Sequence, residues 1–147
     1  MYAAFCASLG DAMTQDASAL AGPMTAAPNP AQYAVLLKTI GKEPLGAFVR
    51  NGDDVWAKII TTIHYGLIEA GEAGVTQASP STDAKLQCLL GQTGEFCRHL
   101  GLDNPFMLNA IRATSNYGQV SERNVGQGSP LELALGLNGL WDRGGLM

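Results

Sequence analysis

The chain has 147 residues, of which 46% are hydrophobic and only 15% are charged, and its formal net charge is −4 at pH 7. This length fits about one domain and is enough to bury a core without disulfide or metal staples. The negative charge, with no cluster of Lys and Arg among aromatic residues, excludes a basic surface for nucleic acid. No apolar run approaches the roughly 18 residues of a membrane span, and the apolar start of the chain lacks the positive charge that opens a secretory signal.

No sequence motif points to an enzyme or to a bound cofactor. The chain has no phosphate-binding loop, dinucleotide-binding glycine pattern, nucleophile elbow or zinc-protease motif. Cys6, Cys88 and Cys97 are an odd number without a C-x-x-C pair, which favours small buried side chains over a complete disulfide framework. Cys97 and His99 lie two positions apart, so a helix would direct them to different faces. His64 has no second ligand at a metal-like spacing. We therefore expect no enzymatic activity, cofactor or metal.

The N-terminal part of the chain predicts a strand followed by a helix. Residues 11–16 (DAMTQD) form a short run that indicates a strand ending at Asp16. The Ala-rich residues 17–27 begin directly after it, with Asp16 or Ser18 as the N-cap. Pro23 lies inside this segment, so the helix either ends after two turns or is kinked there.

Two further strands are predicted on either side of a connector. Residues 33–37 (YAVLL) are a continuous apolar run with β-formers, typical of a strand buried on both faces. Residues 38–44 form the connector, and the alternation in residues 45–50 (LGAFVR) predicts another strand. With the preceding helix, these pieces indicate a parallel crossover and an α/β fold.

A long amphipathic helix follows a polar turn and is the most strongly patterned element. Asp53 stands at its N-cap, and Asp54 in the first turn complements the helix dipole. Apolar residues recur at helical spacing along one stripe, formed by Trp56, Ile59, Ile60, Ile63, Leu67 and Ala70. Gly71 and Gly74 supply the C-terminal stop.

Beyond a polar loop at residues 76–82, the sequence predicts only helices. They cover residues 83–90, 95–100, 105–117 and 130–141. The last two each begin with a helix-start signal, Asn-Pro or Ser-Pro. The third presents a face of Phe106, Ala110, Ala113 and Tyr117, and the fourth runs through Leu131, Leu135, Leu140 and Trp141. The Gly-Gln-Gly at residues 126–128 lies between these two helices and is interpreted as a linker.

Asp16 is the residue with the most chemical interest. It stands at the predicted end of a strand and the start of a helix, where α/β sheets place ligand-binding groups. A carboxylate in such a position accepts hydrogen bonds from a cation, most naturally an ammonium group. The competing interpretation is a plain N-cap, which the local sequence favours.

Three stretches of the chain have specific sequence patterns. Residues 10–21 read GDAMTQDASALA, and residues 42–76 lead through a polar turn into the long helix. Residues 100–147 contain SNYGQVSERNVG, SPLELALGLNGLW and the closing GGLM, which are the most specific of these patterns. The three stretches resemble the periplasmic amino-acid-binding proteins of ABC transporters, especially the general L-amino-acid-binding type. They look like that family's pattern C-D-x-x-T-T-D-x-S-x-L, its stretch from the hinge into a long helix, and its helical C-terminal extension.

The resemblance implies part of a two-lobed α/β fold, the type II periplasmic-binding-protein fold, with a helical C-terminal extension. Residues 1–40 would end the second lobe. Residues 41–75 would make a hinge crossing, then the return strand and long helix of the first lobe, and residues 76–147 the extension. The resemblance also implies that Asp16, with Gln15 beside it, binds the α-ammonium of an L-amino acid. The protein would deliver this ligand to a permease from the periplasm, so its contact with the membrane complex would be peripheral.

The chain departs from the family pattern in three ways. Gly10 stands where the family has Cys, and Gln15 where it favours Thr, which changes a hydrogen bond to the ligand. Family members are also more than twice as long, and neither their first-lobe site for the ligand carboxylate nor a signal peptide precedes Met1. We therefore expect half a cleft, with exposed sheet edges that favour self-association. The alternative is a shortened helical interaction module that binds no ligand.

Overall fold

The computed structural model describes residues 2–36, 38–41, 45–79 and 84–147, and the regular structure in these ranges is helical. Six α-helices occur there: α1 (Tyr2–Cys6), α2 (Ala17–Thr25), α3 (Asp54–Glu72), α4 (Ala84–Leu89), α5 (Phe106–Thr114) and α6 (Tyr117–Asn124). Short 3-10 helices cover Pro30–Gln32, Phe96–Leu100, Gly136–Asn138 and Trp141–Arg143. None of the described helices is long and apolar enough to cross a membrane.

None of the three predicted strands forms within the described part of the chain. The backbone is extended at Asp16 (φ −56°, ψ 143°) and Tyr33 (φ −117°, ψ 150°), but neither residue belongs to a strand ladder. Leu37, the end of the second predicted strand, and residues 42–44 of the predicted connector lie outside the described residues. An extended segment becomes a strand only when a neighbouring strand accepts and donates its hydrogen bonds. The strands of the predicted α/β fold are therefore absent from the described part of the chain, and its helices are present.

The long helix α3 is close to its prediction. The Asp53 side chain accepts a hydrogen bond from the Trp56 amide at 3.0 Å, and the helix ends at Glu72 before Gly74, whose φ is +67°. Its buried residues are Ile59, Gly66, Ile68, Ala70 and Gly71. Trp56 remains 48% exposed. Of the rest of the predicted stripe, Ile59 and Ala70 are buried, whereas Ile60, Ile63 and Leu67 are half-buried.

The core lies where α3 meets α4 and α5. It consists of Ala70, Val75, Leu86, Leu90, Cys97, Met107 and Ile111. On α5 the buried positions are Met107 and Ile111, whereas the predicted face had Phe106 and Ala110. The reason is a close approach between helices, because Met107 lies against Gly66 of α3, where no side chain intervenes.

The predicted helix over residues 105–117 is broken by a buried corner. α5 ends at Thr114, and Ser115 adopts φ 72° and ψ −167°, a region that strongly favours glycine. The Ser115 hydroxyl donates to the Gln119 side chain, and Asn116 begins α6 as an N-cap that accepts from the Gln119 amide at 3.0 Å. The Asn116 amide group also donates to the Val75 carbonyl at 2.7 Å. This corner fixes α6 against the end of α3.

The predicted final helix over residues 130–141 does not form. Glycines interrupt it, and only the short 3-10 helices at Gly136–Asn138 and Trp141–Arg143 remain. The chain end folds back on this region, with the Met147 amide donating to the Gly139 carbonyl at 3.1 Å and the Trp141 amide donating to the Met147 carbonyl at 2.7 Å. A side chain at Gly145 would collide with the Gly139 carbonyl, so this reversal requires glycine.

The N-terminal elements form a small separate cluster. The Tyr2 hydroxyl of α1 donates to the Pro23 carbonyl of α2 at 2.7 Å, and the Phe5 and Tyr33 rings are 5.4 Å apart. α2 continues through Pro23 to Thr25, so the predicted alternative in which the helix ends before Pro23 is wrong. α4 begins at Ala84, and Asp83, the first residue of that predicted helix, lies outside the described residues.

Candidate ligand site

Asp16 lies directly before α2, in the N-cap position, and both it and Gln15 are exposed. Its backbone carbonyl accepts the hydrogen bond from the Leu20 amide at 2.9 Å that opens the helix. Its side chain makes no capping hydrogen bond. The carboxylate of Asp16 therefore does not cap α2, unlike the side chain of a plain N-cap residue.

A comparison with Asp53 shows what a carboxylate N-cap does in the same molecule. Asp53 occupies the same position before α3, and its carboxylate accepts from the Trp56 amide at 3.0 Å. The two residues share a type and a position, but only Asp53 uses its side chain to cap. The capping interpretation of Asp16 thus holds for its backbone and not for its carboxylate.

The charge of Asp16 has no cation next to it among the described residues. The ion pair found in those ranges joins Arg98 and Glu95 at 3.0 Å, far along the chain. An exposed carboxylate at a helix start has room for a ligand cation, and an ammonium group would give it charge-assisted hydrogen bonds. Gln15, the residue before it, offers both a donor and an acceptor. Both residues are exposed, so the described part of the chain offers no second wall of a binding site beside them.

Two open cavities formed by the described residues do not include Gln15 or Asp16. One of about 500 Å³ lies beside the start of α6 and is lined by the C-terminal loops and Arg143. The other, of about 450 Å³, lies at the polar turn before α3. The described chain therefore presents Asp16 on an open surface rather than in a closed pocket.

The other candidate groups do not form a site in the described residues. Cys97 is fully buried in the core while His99 is exposed, so these two residues of one 3-10 helix face different environments. His64 is exposed, with aromatic neighbours in Tyr65 and Tyr117 at 5.7 and 6.4 Å between ring centres. No group of three or more His, Cys, Asp or Glu residues that could hold a metal ion occurs in the described ranges.

A cluster of Tyr2, Cys6 and Tyr33 was not predicted. Hydrogen bonding with the Cys6 thiol, together with partial desolvation, raises the pKa of both Tyr2 and Tyr33 above the ordinary value of 10.0. The three side chains come from α1 and from the segment after Pro30–Gln32. Local patterns give no signal for a contact between residues so far apart in sequence.

Known proteins similar to this chain are named as amino-acid-binding proteins. The glutamate/glutamine/aspartate/asparagine-binding protein BztA of Rhodobacter capsulatus is 41% identical over 149 residues, which cover 97% of this chain and 44% of that protein. The general L-amino acid-binding periplasmic protein AapJ of Rhizobium johnstonii is 42% identical over 151 residues, covering 98% of this chain and 44% of that protein. Both are named as binding proteins and neither as an enzyme. No protein-family model matches the chain.

A solved structure shows the same similarity in three dimensions. An ABC transporter periplasmic binding protein from Brucella ovis with glutathione bound superposes with a TM-score of 0.91 at 39% identity. The alignment covers 99% of this chain and 47% of that one. The chain spans less than half the length of the curated relatives it matches. It is a homologue of the C-terminal half of the amino-acid-binding periplasmic proteins of ABC transporters, and its structure matches about half of one solved periplasmic binding protein.

Proposed function

We propose that the chain is the C-terminal part of the substrate-binding component of an amino-acid ABC transporter, and that it binds L-amino acids for delivery to the permease. The observation that supports this proposal most directly is that Asp16 has an exposed carboxylate, which lies in an N-cap position but does not cap the helix. The similarity to proteins named for amino-acid binding, over 97–98% of the chain, supports the same conclusion.

In this proposal Asp16 binds the α-ammonium of the ligand. An ammonium group presents three donors, and a carboxylate accepts them as charge-assisted hydrogen bonds. Gln15 contributes a neutral hydrogen bond from the adjacent position. The ligand carboxylate would be held by the part of the relatives that this chain does not cover, so that the amino acid is gripped at both ends between two lobes.

The proposed division of the chain assigns a mechanical role to each part. Residues 1–40 end the second lobe and carry Asp16; residues 41–75 cross the hinge and enter the first lobe; residues 76–147 are the helical extension. Two packed clusters, one around Tyr33 and one around α3, support the boundary near residue 40, because the described residues between them are exposed. Closure would then occur about residues 38–44, by rotation of one lobe toward the other.

The proposed location is the periplasm, because the relative from Rhizobium johnstonii is named as a periplasmic protein. The partner there is the permease of an ABC transporter, and the contact with the membrane complex is peripheral. Transport rather than catalysis is the proposed role, and no cofactor is required for it.

The proposal is tested by titrating a panel of L-amino acids into a chimera. The chimera joins the N-terminal portion of the Rhizobium johnstonii protein, up to the matched region, to this chain. We expect binding by isothermal titration calorimetry, and we expect Asp16→Asn to weaken it about a hundredfold or more, because the ammonium loses its counter-charge. Gln15→Ala should cost about fivefold, the value of one neutral hydrogen bond.

Asp11→Asn is the matched control, since it removes an exposed carboxylate five positions earlier and should leave affinity unchanged. Equal binding by the Asp16→Asn chimera and the unmodified chimera would contradict the assignment of the ammonium site. Failure of every amino acid to bind a folded chimera would contradict the proposed function itself.

A further inference from the structure

The chain contains the dipeptide Asn-Gly twice, and the two copies lie in different surroundings. Asn51-Gly52 forms part of the polar turn before α3, whereas Asn138 ends a 3-10 helix and is followed by Gly139. An asparagine side chain reacts most readily with the next peptide nitrogen when glycine follows, because glycine has no side chain to obstruct the approach. The sequence alone gives both copies this reactivity, so any difference between them comes from the structure.

The reaction is deamidation, a hydrolysis that requires only water. The Gly52 backbone nitrogen loses its proton and attacks the side-chain carbon Cγ of Asn51, which forms a C–N bond. The bond from Cγ to Nδ2 then breaks, and Nδ2 takes up the lost proton and leaves as ammonia. Water opens the resulting succinimide ring at one of its two carbonyl carbons and gives aspartate or isoaspartate. An amide nitrogen is thus replaced by an oxygen without any oxidation or reduction.

The surroundings of Asn51-Gly52 leave this reaction unobstructed. Both residues are exposed, and the Gly52 amide makes no hydrogen bond within the described chain. Gly52 has φ +82°, and beyond its chain neighbours no atom lies within 4 Å of where a Cβ would be. The turn also borders an open cavity of about 450 Å³, which admits water to the ring. The attacking nitrogen, the carbon that it attacks and the water are therefore all accessible.

The second copy is held in a way that opposes the same attack. The Gly139 amide donates a hydrogen bond to the Gly136 carbonyl at 3.0 Å, and Gly139 is buried. The Asn138 carbonyl accepts a hydrogen bond from the Tyr117 hydroxyl at 2.7 Å. A buried peptide nitrogen that already donates must first lose its hydrogen bond, so reaction here requires the loop to open locally.

We propose that Asn51 is a site of spontaneous deamidation, that Asn138 is protected from it, and that isoaspartate at position 51 loosens the start of α3. The turn is closed by a hydrogen bond from the Asp53 amide to the Arg50 carbonyl at 3.3 Å. Asp53 in turn caps α3 by accepting from the Trp56 amide at 3.0 Å. Isoaspartate adds one carbon to the main chain inside this turn and displaces Asp53 from its capping position. The inference does not depend on amino-acid binding.

The test incubates the chain of 147 residues in buffer at mildly alkaline pH and, in parallel, in urea that unfolds it. Peptide mass spectrometry follows each asparagine, because replacing the amide by a carboxyl group raises the peptide mass, and fragmentation distinguishes isoaspartate from aspartate. In buffer we expect Asn51 to react about tenfold or more faster than Asn138, because the Gly139 amide must first break its hydrogen bond. In urea the two rates should approach each other, since the fold no longer separates the two copies.

Asn51→Gln is the matched control, because glutamine keeps the amide group but would have to form a larger and less favoured ring. This variant should give no isoaspartate at position 51 after the same incubation. An unreacted Asn51 in the folded chain overturns the proposed site, and equal rates at Asn51 and Asn138 in buffer overturn the proposed protection.

The effect on α3 is measured on the isoaspartate fraction, isolated from the incubated chain by anion exchange. Hydrogen exchange at the Trp56 amide should be faster in this fraction than in the unmodified chain, because the Asp53 cap is weakened, while the amides of α5 should be unchanged. Equal exchange at Trp56 in the two samples would contradict the proposed loosening of α3.

Discussion

The helical body from α3 to α6 and the extended segment, which is the set of exposed residues 34–36, 38–41 and 45–50, are both rich in apolar residues. Among the described residues, the apolar side chains of the body pack against one another and those of the extended segment do not. Ile111 and Met107 of α5 are buried against α3 and α4. Phe48 and Leu36 of the extended segment are exposed. An apolar composition indicates that side chains tend to be buried against other apolar groups. The structure then shows whether those groups belong to the same chain. Stability should depend on the first region and association on the second.

The largest expected effect is the loss of a core side chain. Ile111→Ala should lower the free energy of unfolding by about 2–5 kcal/mol, because it removes buried methyl groups and leaves a cavity. Leu36→Ala removes a similar side chain from the extended segment and should change it by less than about 0.5 kcal/mol. Urea denaturation followed by circular dichroism measures both. A comparable loss in the two variants would contradict the division into a self-sufficient body and an unpartnered segment.

The buried corner at Asn116 should have the next largest effect. Asn116→Ala removes the N-cap of α6 and leaves the Val75 carbonyl without its donor, which together should cost about 2–3 kcal/mol of unfolding free energy. The control is Asn124→Ala, which removes an exposed hydrogen bond to the Val120 carbonyl and should cost less than about 0.5 kcal/mol. If the two variants unfold at the same urea concentration, the corner does not hold α6 in place.

The two helix-start aspartates should respond differently to the same change. Asp53→Ala should cost about 1 kcal/mol, because the Trp56 amide loses its acceptor. Asp16→Ala should leave the free energy of unfolding nearly unchanged, since its carboxylate caps nothing. Thermal unfolding of the two variants provides the comparison. A clear destabilisation by Asp16→Ala would restore the plain capping interpretation and weaken its assignment as a ligand group.

The smallest expected effect concerns the N-terminal cluster at alkaline pH. The raised pKa of Tyr2 and Tyr33 favours their neutral forms in the folded chain. This contribution to stability is fully present below pH 10.0, the ordinary value, and is lost as the pH rises through the higher folded pKa values. Tyrosinate absorbance during an alkaline titration measures it. Cys6→Ala should move the upper part of the curve to lower pH, Cys88→Ala should not, and an unchanged Cys6→Ala curve would contradict the cluster.

Local sequence signals were sufficient where the decisive contacts are local. Asp53 and the apolar spacing that follows it predicted α3, and the glycine at position 74 predicted its end, because capping and helical periodicity act within a few residues. The family resemblance in residues 10–21 and 100–147 predicted the class of protein and is confirmed by the relatives. The role of Asp16 and Gln15 stays a prediction.

Features that depend on distant contacts were missed. The three predicted strands lack ladder partners in the described chain, and no local pattern reveals that absence. The break at Ser115 depends on burial and on the bond from Asn116 to Val75, which is 41 residues away. A signal for α6 was present, since Asn116 followed three positions later by Gln119 resembles a capping box. The apolar run at residues 130–141 indicated a helix, but Gly136 and Gly139 favoured tight turns instead.

Titration of L-amino acids into the unmodified chain alone tests most directly whether it is half of a binding site. Asp16 provides one anchor for the ligand, and an amino acid held only by an exposed ammonium–carboxylate pair gains too little to offset the entropy lost on binding. We predict no binding tighter than about millimolar for the chain by itself, and measurable binding for the chimera that supplies the N-terminal portion. Micromolar binding by the isolated chain would contradict this account.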